Sequence, residues 1–217
     1  MPNFENRRTT MVDTQVRPSD VTKFPIIEAM LSVPRELFVP RALTEAAYIG
    51  ENLEFAPGRV LLEPRTLAKM LDALDIQSTE VVLDVGCGQG YSSALIARIA
   101  DAVIGIEQDA DQIQEGENVL TDLGVDNVVM LERSLVEGAA KHGPYDVITV
   151  QGAVETIPTE LLDQLKEGGR IGCLFRTGEL GELKIGYKVN GVLTWRLICH
   201  ASAPVLPGFE AKRAFEL

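Results

Sequence analysis

The residues best placed to do chemistry lie in the stretch Val82-Leu83-Asp84-Val85-Gly86-Cys87-Gly88-Gln89-Gly90-Tyr91. An apolar run ends in three alternating glycines and then opens into a helical pattern. Glycines at such a bend reach backbone conformations that other residues avoid, and they let a ligand lie on bare peptide. Glu107 closes the next apolar run, 19 residues beyond Gly88. An acid about 20 residues past a glycine bend can accept hydrogen bonds from both hydroxyls of a ribose. The pair points to a nucleoside-bearing ligand. It does not point to a dinucleotide, because Tyr91 stands where G-x-G-x-x-G needs its third glycine. The bland alternative leaves Asp84 bonding its own turn and Glu107 as a solvated strand end.

The elements around this stretch alternate. Strands are expected over 81–85, 102–107, 127–131, 145–150 and 170–175, and helices over 92–100, 109–123 and 159–165. Continuous apolar strands separated by helices predict a parallel sheet covered on both faces. The end of the chain differs: residues 183–189 and 192–199 flank Asn190-Gly191 and predict a β-hairpin. Upstream, a helix over 19–32 has an apolar face of Val21, Phe24, Ile27, Met30 and Leu31, with Ser19 or Asp20 as its cap. A short helix is expected over 43–48 and loop or short extended pieces over 53–62. Pro64 opens a helix to Leu74 whose buried face is Leu67, Met70, Leu71 and Leu74. The first 18 residues show no apolar periodicity, so they are either disordered or wrapped on the body. The expected architecture is a Rossmann-like doubly wound α/β sheet with a C-terminal antiparallel hairpin and an N-terminal helical addition. Residues 1–76 form the addition and 77–217 the core, as one structural unit.

Composition narrows the function. The 217 residues carry a net charge of −12. That repels a phosphate backbone, and no basic cluster offsets it, so nucleic acid is not an expected partner. No run of about 18 apolar residues predicts a membrane span, and the first residues lack the apolar stretch of a secretory signal. Cys87, Cys173 and Cys199 are odd in number and widely spaced, which suggests a reducing compartment; a cytoplasmic location is expected. His142 and His200 are isolated from each other and from the cysteines, so no metal site is expected. Neither histidine has a partner at the spacing of a general base. Cys87 reads more simply as a small buried side chain in a tight turn than as a reactive thiolate. Arg59 and Arg65 are either anion-binding groups or surface arginines paired with Glu63 or another acid.

Gly86-x-Gly88-x-Gly90 preceded by Asp84, together with the terminal hairpin, resembles the first motif of class I S-adenosyl-L-methionine-dependent methyltransferases. The resemblance narrows further. Val33-Pro34-Arg35-Glu36-Leu37-Phe38-Val39-Pro40, Ala47-Tyr48, Gly58 with Pro64, and Pro144-Tyr145-Asp146-Val147-Ile148 are similar to segments of the protein-L-isoaspartate O-methyltransferase family. Met11-Val12, Gln15-Val16-Arg17, Ile157-Pro158 and Gly168-Gly169 extend the match to nearly the whole chain. The resemblance implies S-adenosyl-L-methionine as cofactor. It would be held by Asp84, Gly86, Cys87, Gly88, Gly90, Glu107 and Gln108, with Ser134, Leu135 and Gln151 at the following strand ends. Asp84 would meet the ammonium end of the cofactor and the bend amides its carboxylate.

The family methylates isoaspartyl carboxyl groups through a loop that reads Gly-Gln-Thr-Ile-Ser-Gln-Pro or close to it. Here the aligned run is Gly58-Arg59-Val60-Leu61-Leu62-Glu63-Pro64. Val60 and Leu62 replace the family's threonine and serine, and neither can donate a hydrogen bond. Arg133-Ser134-Leu135 likewise replaces Gly-Asp-Gly, where the acid helps hold the adenine. The acceptor loop of Arg59, Val60, Leu62 and Glu63 therefore implies a diverged methyltransferase with a protein, peptide or small-molecule acceptor. A catalytically inactive relative that keeps the fold and binds the cofactor or a partner is the alternative. A nicotinamide oxidoreductase is a third class, set against by Tyr91.

Overall fold

In a computed structural model, described over residues 3–211, the expected strands assemble into one seven-stranded sheet. The chain opens with α1 (Phe4–Met11) and α2 (Phe24–Ser32). A two-stranded hairpin follows, β1 (Leu53–Ala56) and β2 (Arg59–Leu61), and then α3 (Pro64–Leu74). The main sheet is built from β3 (Val81–Val85), β4 (Ala102–Glu107), β5 (Val128–Glu132), β6 (Tyr145–Val154), β7 (Leu165–Thr177), β8 (Leu180–Val189) and β9 (Val192–His200). Between strands run α4 (Tyr91–Ala97), α5 (Ala110–Asp122) and the short α6 (Thr159–Leu162). The order is β5-β4-β3-β6-β7-β8-β9. Strands β3 to β7 pair in parallel, and β8 and β9 are antiparallel additions at one edge.

Alternation along the strands divides the core in two. Val82, Val103 and Val147 share one cluster with Met30, Leu67, Met70, Leu71 and Leu95. Leu83, Val85, Ile106, Ile148 and Val150 face the other way, against Leu161, Leu206 and Phe209. The first face is covered by α2 to α5. The second is covered by α6 and by the chain that returns after β9.

The N-terminal region is wrapped on the body, the second of the two expected arrangements, and it does so as helix. Its residues form α1, then a π-helical turn over Val12–Val16 and a 3-10 turn over Arg17–Ser19. Met11, Val12 and Val16 are buried. The periodicity fails here because α1 docks through a polar side chain. Arg8 donates to the carbonyls of Leu31 and Ser32 and to Tyr48 Oη, and it pairs with Glu36. The next helix starts at Phe24, five residues later than expected. Asp20 adopts a left-handed conformation (φ 65°) and ends the preceding turn instead of capping a new one. The segment expected as a short helix is a 3-10 helix, Arg41–Ala46. The helix expected over 159–165 is a single turn, because Leu165 already belongs to β7.

Helix α5 presses on the glycine bend. A Cβ placed on Gly116 would stand 2.5 Å from the Gln89 carbonyl oxygen and 2.9 Å from Met130 Sδ. Backbone cannot give way as a flexible side chain can. Gly116→Ala is therefore expected to cost about 1–3 kcal/mol, seen as a lower urea midpoint at unchanged m-value.

Candidate functional site

The bend after β3 forms as its glycines require. Gly86, Gly88 and Gly90 all take positive φ (76°, 56° and 89°). The amides of Gly86 and Cys87 both donate to the Ile106 carbonyl at 2.9 and 3.2 Å, which ties the bend to the end of β4. Asp84 sits in register between Gly105 and Thr149 on the neighbouring strands. Its carboxylate is fully buried and fully engaged. Oδ2 accepts from the hydroxyls of Ser92 (2.5 Å) and Ser93 (2.7 Å). Oδ1 accepts from Thr149 Oγ1 and Gln151 Nε2, both at 2.7 Å. Burial pushes the Asp84 carboxyl up, and the four donors work against that shift. The group binds β3, α4 and β6 to one another and has no free lone pair aimed at a ligand. Gln151 is likewise spent on Asp84.

Glu107 is reached from an unexpected direction. Arg59 lies on β2, beyond the Pro57-Gly58 tip of the small hairpin, and its guanidinium reaches between the bend and the end of β4. Nη1 donates to Glu107 Oε1 at 2.6 Å and Nη2 to Oε2 at 2.5 Å. Nη2 also donates to the Gly86 carbonyl at 3.1 Å. The amides of Gly88 and Gln108 donate to the same carboxylate at 2.9 and 2.8 Å. Glu107 is 0% exposed and Arg59 6%. Arg59 is thus paired with an acid, as one reading of the sequence has it, but that acid is Glu107 rather than Glu63 and the arginine is buried rather than at the surface.

The remaining faces of the bend are covered too. The Phe55 ring lies under the Arg59 guanidinium, 5.6 Å from ring centre to Cζ. Its edge comes within 3.0 Å of where a Cβ on Gly88 would stand. Leu206 and Leu135 cover Gly86, at 3.3 and 3.7 Å by the same measure, and Leu206 covers Gly152 at 2.6 Å. The segment carrying Leu206 is fastened beside β6: Ala153 N donates to Pro204 O and Leu206 N to Ala153 O, both at 2.9 Å. Ser134 is exposed. An adenosine-type ligand needs the Glu107 oxygens free for its hydroxyls and the bend bare for its chain. In this arrangement both are covered by side chains, so the Arg59 guanidinium and the Phe55 ring must give way for the cofactor to be seated.

The acceptor loop is packed rather than displayed. Val60, Leu61 and Leu62 are all buried in the core on the α2–α5 side. Glu63 turns away into the first turn of α3, where its carboxylate accepts from Thr66 Oγ1 at 2.5 Å. The loop is anchored by Arg35, which is 0% exposed and donates to the carbonyls of Ala47 (2.6 Å) and Leu62 (2.8 Å). Its guanidinium lies 4.9 Å from the Tyr91 ring centre, and burial pushes its pKa down. Arg65 is exposed.

Arg35, Phe55 and Leu206 were not singled out as site residues by sequence reasoning. Ser92-Ser93 directly after the bend was a usable signal for the partners of Asp84. Leu206 offered none, because its position depends on where the chain returns after β9.

The thiols rank themselves by burial. Cys87 is 5% exposed; desolvation, then the charges of Asp84 and Glu107, push it well above the usual thiol range. Cys173 is fully buried and Cys199 half-buried. A disulfide reagent should therefore titrate Cys199 in the native protein and reach Cys87 and Cys173 only on unfolding. Rapid modification of Cys87 in the native state would contradict this geometry.

Comparison with known proteins agrees with the geometry of the fold. The family model for protein-L-isoaspartate(D-aspartate) O-methyltransferase matches residues 6–178. A Syntrophus aciditrophicus protein-L-isoaspartate O-methyltransferase is 39% identical over 171 residues, which cover 79% of this chain and 78% of that protein. The Koribacter versatilis enzyme of the same name is 34% identical over 193 residues, covering 89% and 87%. Among solved structures, a Plasmodium falciparum protein named as a protein-L-isoaspartate O-methyltransferase, in complex with S-adenosyl-L-homocysteine, superposes with a TM-score of 0.78. It is 19% identical over 95% of this chain and 99% of that one. The expected Rossmann-like fold is thereby matched over nearly all its length. On these matches the chain belongs to the protein-L-isoaspartate(D-aspartate) O-methyltransferase family, a family of S-adenosyl-L-methionine-dependent methyltransferases.

Proposed function

We propose that the chain is a methyltransferase of this family whose acceptor is something other than an isoaspartyl carboxylate. The observation that carries the reading is the acceptor loop. Its two hydroxyl positions are Val60 and Leu62, and both side chains are packed into the core. A carboxylate brought to this loop finds no donor from either side chain, and a desolvated carboxylate without a donor is costly. The loop also contributes Arg59, a cation that the isoaspartyl loop pattern lacks.

Methyl transfer asks the protein mainly for proximity and alignment of the reacting groups. An acceptor that is already deprotonated needs no acid–base residue, so for such an acceptor isolated His142 and His200 are no obstacle. We assign the donor side to the backbone of Gly86, Cys87, Gly88 and Gly90, to Glu107 and Gln108, and to Ser134 and Leu135. Asp84 and Gln151 act on it by holding the bend in place. The loop of Arg59, Val60, Leu62 and Glu63 borders the acceptor side, with the Arg59 side chain turned onto Glu107. Residues 1–76 and 77–217 work as one unit, consistent with a core cluster that joins Met11 and Met30 to Val103 and Leu174. No helix among the described residues is long and apolar enough to cross a membrane.

The test uses purified protein and methyl-labelled S-adenosyl-L-methionine. An isoaspartyl peptide should gain no methyl ester above blank, whereas fractions of a cell lysate should gain label. Rapid esterification of the isoaspartyl peptide would overturn the altered acceptor. Absence of label in every fraction would overturn methyl transfer itself.

A further inference from the structure

We propose that Arg59 is an internal latch on the donor site: its guanidinium occupies Glu107 in place of the ribose hydroxyls, and the donor enters only when the Arg59 side chain swings off that carboxylate. This rests on the methyltransferase reading above and deepens it. Three observations converge. Both Glu107 oxygens are taken by one guanidinium, at 2.6 and 2.5 Å, and each also accepts a backbone amide. Together these four donors leave the carboxylate no room for two hydroxyls. The same guanidinium bonds the Gly86 carbonyl and brings Phe55 over Gly88, so the latch closes the bend as well as the acid. And Arg59 sits one residue past the hairpin tip, on a strand of only three residues.

The hairpin is separate from the main sheet. It is a two-stranded unit of its own, paired Leu53 to Leu61 and Glu54 to Val60, with an irregularity on β1 between Glu54 and Ala56. Its base is packed in the core through Leu53, Val60 and Leu61, so the part free to move without disturbing core or ladder is the tip with the Phe55 and Arg59 side chains. Arg59 Nε has no hydrogen-bond partner in the closed form, although it is buried. Displacement also has an exchange logic. Two hydroxyls can satisfy Glu107 when the guanidinium leaves, and the guanidinium regains solvent. A buried pair broken with nothing in its place is costly, so ligand entry and latch opening should be coupled.

The experiment measures binding of S-adenosyl-L-homocysteine by calorimetry to the wild type, Arg59→Met and Arg59→Lys. Circular dichroism melts confirm that each is folded. Arg59→Met should bind about tenfold or more tightly than wild type, because a mostly closed population reduces apparent affinity by the open fraction. Arg59→Lys, which keeps one contact to Glu107, should fall between. A second measurement avoids mutation altogether. Hydrogen exchange of the wild type with and without saturating ligand should show faster exchange at the hairpin tip, residues 55–59, when the ligand is bound. Wild type that binds as tightly as Arg59→Met, with no change in the hairpin, overturns the latch while leaving donor use intact. No binding by any of the three proteins overturns both the latch and the donor assignment.

Discussion

The Arg59–Glu107 pair is the interaction around which the site is organised. It is bidentate and buried, and the bend amides of Gly88 and Gln108 complete it. A buried ion pair of this kind is poor evidence of added stability, since desolvation of both groups offsets most of their attraction. Its consequence is specificity of conformation. With the guanidinium in place, hairpin, glycine bend and strand end form one closed unit. Without it, Glu107 is a buried carboxylate waiting for another set of donors.

Asp84 plays the complementary part. Hydroxyls from α4, a threonine on β6 and Gln151 converge on it, so the start of the helix and the two central strands share one anchor. Two acids of similar type, at the ends of adjacent strands, thus have opposite roles. Asp84 is locked by neutral donors that belong to the permanent core. Glu107 is held by a cation from a hairpin that lies outside the main sheet. The difference follows from their neighbours, since both carboxylates are equally buried.

Much of this was legible in the amino-acid sequence. Strong local periodicity marked β3, β4 and α3 to within a residue, and Asp109 marked the start of α5 by accepting from the amides of Asp111 and Gln112. The glycine bend announced itself because positive φ at alternating positions demands glycine. What escaped were contacts between distant segments. Helix α1 has no apolar stripe and docks through Arg8. The pairing of Arg59 with Glu107 joins residues 48 apart, and an arginine in a loop with Glu63 nearby reads as easily as a surface pair. Leu206 reaches the bend only through the path of the chain after β9. Loss of the loop hydroxyls was plain from the residues; that Val60 and Leu62 are packed in the core required the fold.

The central claim concerns a single exchange at one carboxylate, so the most direct measurement is a crystal structure of the wild-type protein with S-adenosyl-L-homocysteine bound. The expected structure has ribose hydroxyls on the Glu107 oxygens and the Arg59 guanidinium withdrawn, with Phe55 lifted from Gly88. Ligand seated on the bend with Arg59 still bidentate to Glu107 would contradict it.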